Sequence, residues 1–382
     1  MELVNLTEEE QLFLNETAKF VENELRPHAL EWEQQGRTPR KVWERCGELG
    51  YLGIKYPEDV GGQGSDYMYA FIWAQEMGKC GTLGCAMGLT VQSDMATPAL
   101  ARHGSAFLKR EYLIPAIQGK KICSIAVTEP GCGSDVASLK TTAVKKGGDY
   151  IINGRKTFIT NGMQADFVTL LARTSDEPGH SSFSLFVVPT DTPGFSRGRD
   201  LDKTCFPSSD TAELFLDDVK ISADHLIGKV GEGFVYQMQQ FQFERLIGVG
   251  ISLGCLQRAY ALTKQYIQER NVFGQQISKF QVTQHKMAQM LSEITMLECM
   301  SYQCARKVDE GKDITKAVSM LKLMSAQILQ RVLEECVQLF GGYGLMTEYE
   351  VSRYFRDAKL WGIGAGTNEV MKEIIAKKEG LS

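Results

Sequence analysis

Glu244 stands out as a residue able to do chemistry. It lies in the strongly helical stretch Phe241-Gln242-Phe243-Glu244-Arg245-Leu246-Ile247, between apolar neighbours. Residue type alone makes a glutamate beside an arginine a surface pair. Flanks Phe241, Phe243, Leu246 and Ile247 argue instead for a mostly apolar surround, where desolvation lifts a carboxyl above its ordinary pKa and makes it a stronger base. More than a hundred residues later, after a helix-like run at 349–359, comes the glycine-rich turn Gly364-Ala365-Gly366-Thr367-Asn368-Glu369.

Two further segments bear hydroxyls and glycines. Val127-Thr128-Glu129-Pro130-Gly131-Cys132-Gly133-Ser134-Asp135 joins a proline-fixed turn to two glycines that admit backbone close to a ligand. Read alone it is equally an ordinary turn with Ser134 or Asp135 capping local amides. In Lys156-Thr157-Phe158-Ile159-Thr160-Asn161-Gly162 an aromatic and a hydroxyl two apart share one side of a strand. Taken singly, Arg270 reads as a helix-end cation and Gly341-Gly342 as a helix stop. Met287, Met290, Met296 and Met300 fall at helical spacing and read as flexible core filling.

The elements that must position these groups run helical, strand-rich, helical. Thr7 with Glu10 makes a capping-box pattern before Leu12, Phe13, Phe20 and Val21, with Pro27 past the helix. Amphipathic runs continue to about Ile117, broken at Gly61-Gly62-Gln63-Gly64 and near Pro98. Short β-rich segments follow at 122–127, 150–152, 167–171, 183–188 and 212–216, spaced as a small barrel or sandwich. Helical periodicity returns at 234–270, 281–309 and 314–340. The expected class is α+β: an all-α N-terminal domain (1–120), a central small β-barrel or sandwich domain (121–231), and a C-terminal four-helix-bundle domain (232–382).

Composition excludes several functions. The 382 residues, 43% apolar and 23% charged with 10 prolines, can bury a large core. A net charge of −5 gives no basic footprint for nucleic acid. No run approaches the roughly 18 to 20 apolar residues of a membrane span, and the first residues lack the pattern of a signal or transit peptide. Ten cysteines form no C-x-x-C pair and read as reduced core thiols, and five scattered histidines never take metal-binding spacing, so no metal is expected. Neither a dinucleotide fingerprint after a strand nor a P-loop is present.

Five motifs, in this order, resemble the acyl-CoA dehydrogenase family: T-E-P-G-x-G-S-D, K-x-[WF]-I-T-N-G, R-x-x-F-G with a following Gln, Q-x-x-G-G-x-G and G-T-N-E. The resemblance runs from about Leu6 to about Lys378. It implies FAD as cofactor and α,β-desaturation of an acyl-CoA thioester, in which a carboxylate removes the α-proton while hydride leaves Cβ for the flavin. Most of the family carries that carboxylate immediately before Gly-Thr, where this chain has Ala365. The long-chain and isovaleryl branches place it on the earlier helix directly before Arg, which is Glu244.

The same resemblance assigns other roles. Ile125, Val127, Thr128, Gly133, Ser134, Phe158, Ile159 and Thr160 would hold the flavin, with Phe158 where most relatives have Trp. Arg270, Phe273 and Gln281 would reach the FAD of a neighbouring subunit, Gln338, Gly341 and Gly342 its adenosine half, and Thr367 and Glu369 would close over it. Ser134 and Ser182 would meet the CoA half, while Gln242, Phe243, Arg245, Ala365 and Gly366 line the substrate. Gln242 stands where relatives commonly have an acidic residue at the CoA end. A backbone N–H near Ala365-Gly366 and a flavin ribityl hydroxyl would polarise the thioester carbonyl. A shared site implies a homo-oligomer, a dimer or a tetramer, with electron-transfer flavoprotein as acceptor. The acyl group is expected to be medium, long or branched, and the compartment a bacterial cytoplasm, or the mitochondrial matrix in a eukaryote. The competing readings are an oxygen-using oxidase or monooxygenase of the same fold, and a catalytically silent acyl-CoA-binding protein.

Overall fold

The computed structural model describes residues 3–381. Its first helix, α1 (Glu8–Phe20), starts where sequence places it: the Thr7 hydroxyl accepts from the Glu10 N–H and the Glu10 carboxylate accepts from the Thr7 N–H. Glu10 also takes the Arg306 guanidinium, so the cap is tied to the far helical region. There follow α2 (Ala29–Gln35), α3 (Arg40–Glu48), α4 (Tyr67–Met77), α5 (Leu83–Thr90), a π-helical stretch Val91–Ala96, α6 (Pro98–His103), α7 (Ala106–Leu108) and α8 (Ile114–Ile117).

The middle of the chain forms β1 (Cys123–Ala126), β2 (Thr142–Lys146), β3 (Asp149–Thr160), β4 (Phe167–Arg173), β5 (Phe183–Pro189), β6 (Phe195–Asp200), β7 (Thr211–Ser222) and β8 (Leu226–Ile227). Hydrogen bonding runs β6-β7-β3-β2-β4-β5-β8, with β1 beside β4. The β2–β4 junction is a single residue pair, Thr142 with Arg173, so two leaves fold over a core of Ile152, Ile159, Val168, Leu170, Phe186 and Leu214. Strands β2, β6 and β8 lie outside the five expected segments. The first two carry Lys145, Lys146, Arg197 and Arg199 on largely exposed backbone, which hides their alternation, and β8 has only two residues.

The remainder is α9 (Gly233–Glu269), a short hairpin of β9 (Asn271–Val272) and β10 (Gln275–Gln276), α10 (Gln281–Asp309), α11 (Thr315–Phe340), α12 (Glu350–Asp357) and α13 (Asn368–Lys378). Helices α9, α10, α11 and α13 pack as the bundle, and α4 packs on α9 and α10. One continuous core therefore unites both helical regions, including Phe71, Trp73, Leu253, Leu256, Leu329 and Leu333. Glycines permit it: a side chain at Gly78 or Gly254 would strike the backbone of the facing helix. One 18-residue window of α9 reaches mean hydropathy 1.2. It is 67% buried inside the protein, as a central core helix must be.

Candidate active site

Helix α9 places Glu244 at the seam between α4 and the π-helical stretch. One turn before it, Gln240 accepts from the Ala99 N–H at 3.2 Å and donates to the Met95 carbonyl, and the Tyr67 hydroxyl donates to the Phe243 carbonyl at 2.6 Å. Glu244 is 4% exposed. Burial is the main reason its pKa climbs to about 7; the Asp94 carboxylate adds to the rise, while Arg245 and Lys55 oppose it. A carboxyl with that value titrates where a general base at neutral pH should. Asp94 is itself buried, paired with Lys55 and accepting from the Ser93 hydroxyl at 2.6 Å.

Arg245 turns to the glycine-rich turn and donates through Nε to the Ala365 carbonyl at 3.1 Å. Ala365 lies at φ +54 and Gly366 at φ +96. The Thr367 hydroxyl accepts from the Val370 N–H at 3.3 Å and caps α13, and Lys322 of α11 donates to the Gly366 carbonyl. Thr367 is half-buried and Glu369 exposed beside it. Sequence reasoning found Glu244, Arg245 and the turn but not Tyr67, Asp94, Lys55 or Lys322. Each lies on an element whose contact with α9 or the turn has no local sequence signal.

The β leaves assemble a second wall. Lys156, fully buried, donates to both the Val127 carbonyl and the Glu129 carboxylate at 2.9 Å, and the Thr157 N–H donates to the Thr128 carbonyl at 2.9 Å. These bonds set Thr128 against the end of β3. Phe158 does not follow simple strand alternation: a register shift between Lys156 and Ile159 puts it at φ +58 and leaves it 68% exposed. Thr160 stays half-buried and Ile159 enters the core. Ile125, Val127 and Thr128 are half-buried, Ser134 and Gly133 exposed, and a β-carbon at Gly131 or Gly133 would meet nothing. This open, partly apolar shelf beside a protruding aromatic fits a planar ring system with a flexible tail, as FAD is.

The Ser182 hydroxyl is buried and donates to the Glu177 and Gly179 carbonyls, the latter at 2.8 Å, which closes its own loop. Gln242 and Phe243 are half-buried on α9, and the Arg102 guanidinium lies 4.9 Å from the Phe243 ring centroid.

A third cluster sits at the far end of α9. Arg270, Gln338, Gly341 and Gly342 line a pocket of about 520 Å³ with Tyr266 and Met346. Gly341 has φ +62, which favours glycine, and Phe273 at the hairpin tip is 97% exposed. Gln281, which opens α10, is exposed. At 1.5 Å per residue this cluster is about 38 Å along α9 from Glu244.

Three family models match in series: "Acyl-CoA dehydrogenase, N-terminal domain" over residues 7–120, the middle domain over 124–219 and the C-terminal domain over 231–379. The chain is 37% identical over 374 residues to the mitochondrial long-chain specific acyl-CoA dehydrogenase of Sus scrofa, covering 97% of this chain and 86% of the relative. It is 36% identical over 380 residues to the mitochondrial isovaleryl-CoA dehydrogenase of Pongo abelii, covering 98% and 89%. A crystal structure of acyl-CoA dehydrogenase from Geobacillus kaustophilus superposes with a TM-score of 0.94 at 41% identity, covering 98% of both chains.

Proposed function

The chain belongs to the acyl-CoA dehydrogenase family, an FAD-dependent oxidoreductase family, and we propose that it desaturates a medium, long or branched acyl-CoA with Glu244 as the α-proton base. The observation that carries this reading is Glu244 itself: a fully buried carboxyl with a pKa near 7, on the helix beside the turn where Ala365 leaves no carboxylate. When bound, FAD supplies the hydride acceptor. Glu244 takes the α-proton. Arg245 stands next to it, so the pocket keeps a compensating cation while it anchors the Ala365 carbonyl. A backbone N–H at Ala365-Gly366 donates to the thioester oxygen as enolate charge grows.

Thr128, Phe158 and Thr160 are the proposed flavin wall, with Ile125, Val127, Gly133, Ser134 and Ile159 around it. The cluster of Arg270, Phe273, Gln281, Gln338, Gly341 and Gly342 is too far from Glu244 for one dinucleotide to reach both in one subunit. We assign it to the FAD of a second copy, which makes the active form a homo-oligomer, a dimer or tetramer. Small residues at Gly364 and Ala365 leave room for a branched acyl group, and the long-chain and isovaleryl relatives span the proposed substrates. Electron-transfer flavoprotein is the proposed acceptor. Anaerobic bleaching of the flavin by a panel of straight and branched acyl-CoAs tests the reading. Reduction by at least one supports it, an inert flavin with bound acyl-CoA overturns it, and stoichiometric peroxide in air replaces the acceptor with oxygen.

A further inference from the structure

The Gly364–Thr367 turn has a backbone that side chains disfavour, Ala365 at φ +54 followed by Gly366 at φ +96. Two buried cations from different helices hold it. Arg245 on α9 donates to the Ala365 carbonyl at 3.1 Å, and Lys322 on α11 donates to the Gly366 carbonyl. Lys322 is 4% exposed and, among the described residues, has no carboxylate within ion-pair distance. Burial, with Arg245 nearby, lowers its pKa to about 8; Glu369 opposes that shift. An ammonium kept in such a place is unfavourable unless its hydrogen bond matters.

A trans peptide sets C=O and N–H antiparallel. Arg245, by drawing the Ala365 carbonyl toward α9, aims the Gly366 N–H the opposite way, and Lys322 fixes the next peptide plane. The N–H groups of Ala365 and Gly366 meet no protein acceptor among the described residues. The Met371 methyl and the Arg245 guanidinium both lie where a β-carbon on Gly366 would stand, so the turn is held by two donors and one apolar contact.

We propose that Lys322 is a positioning residue for the desaturation: through the Gly366 carbonyl, and in concert with Arg245, it locks the turn so that its backbone N–H stays aimed at the thioester oxygen. This rests on the acyl-CoA reading above. Lys322 touches no reacting atom. Its removal lets the turn relax, and the donor misses the developing enolate oxygen.

The test uses the FAD-loaded protein and an acyl-CoA with sulfur at the β position, which has an acidified α-proton and no β-hydride to lose. Exchange of the α-proton in D2O, followed by mass spectrometry, reads the proton transfer apart from flavin reduction. Lys322→Met should keep FAD and bind the analogue within about 3-fold, yet exchange about 10- to 100-fold more slowly, the scale of a displaced oxyanion donor. Lys322→Arg, which keeps a cation and donors, should recover most of the rate. If Lys322→Met does not fold, Lys322→Gln is read the same way. Exchange at the wild-type rate overturns the proposal, as does loss of binding in step with loss of exchange, which marks a merely structural role. If wild-type protein binds the analogue but shows no exchange, the acyl-CoA reading itself fails, so the two failures are distinct.

Discussion

Arg245 Nε lies 3.1 Å from the Ala365 carbonyl oxygen, joining the helix position after Glu244 to a turn 120 residues later. Two alternative seats for a carboxylate thereby become neighbours of one guanidinium. Glu244 occupies one seat, and Ala365 leaves the other without a side chain that can accept a proton.

Replacing Glu244 with Gln keeps the shape and removes the proton acceptor. FAD content and acyl-CoA binding should persist while flavin reduction falls by roughly 10²- to 10⁴-fold, the usual share of a general base. Stopped-flow bleaching measures it, and near wild-type reduction would sink the assignment.

The pH response follows from the same residue. The folded pKa near 7 stands above the ordinary 4.5, so reduction at limiting substrate should rise with pH through about 7 as the base ionises, then level off. Stability moves the other way. Below about 4.5 the group is protonated in both states; between 4.5 and 7 the folded chain keeps a proton that the unfolded chain has lost, and above 7 the buried charge costs the fold roughly 3 kcal/mol. Glu244→Gln should therefore melt higher than wild type at pH 8, with the gap closing by pH 4.5. A gap that widens toward acid would contradict the buried carboxyl.

Much of this was legible in the chain itself. The three long helices after Gly233 and the Thr7–Glu10 cap follow local rules of periodicity and hydrogen bonding, which sequence displays directly. Glu244 was legible through its apolar flanks and the missing carboxylate at Ala365. What escaped depends on tertiary contact. Lys322 looks like any surface lysine of an amphipathic helix until α11 meets the turn. The Phe158 bulge arises from pairing between β3 and β7, so a rule of strict alternation cannot see it. The Ser182 hydroxyl, which the resemblance places near the CoA half, bonds within its own loop.

The buried Lys156–Glu129 pair should be structural with a functional consequence. Glu129 also accepts from the Lys140 and Thr141 N–H groups; against burial, the Lys156 charge first and then these bonds hold its pKa down, and burial lowers that of Lys156 to about 8. Lys156→Met strands the carboxylate and frees the Val127 carbonyl, so a loss of ~3–5 kcal/mol in urea unfolding is expected. FAD retention should weaken with it, because Lys156 holds the turn that carries Thr128. An unchanged unfolding midpoint would show the pair to be dispensable.

Phe273 should matter only between subunits. A phenylalanine 97% exposed in left-handed backbone buries nothing in its own chain. Phe273→Asp should leave the melting of the isolated chain within about 0.5 kcal/mol, as for a surface change, while lowering the mass seen by light scattering and loosening FAD. A wild-type protein that is a flavin-loaded monomer would remove the shared site altogether.

Moving the base tests the geometry most directly. In a Glu244→Gln background, Ala365→Glu places a carboxylate in the seat that most of the family uses. The backbone already tolerates a β-carbon at φ +54, and Ala365 is exposed, so a larger side chain meets no packed core. Arg245 remains bonded to that residue's carbonyl and keeps a cation beside the new charge. Proton transfer is steep in distance, with ~1 Å of misplacement costing ~100-fold, so the double variant should recover a measurable part of the reduction lost in Glu244→Gln rather than all of it. Its preference should shift away from branched acyl groups, since the added side chain takes the volume beside Gly364 that branching needs. Stopped-flow reduction with paired straight and branched acyl-CoAs of equal carbon number reads both effects. No recovery with any substrate, in a protein that still binds FAD and acyl-CoA, would mean the turn does not face the α-carbon that Glu244 serves.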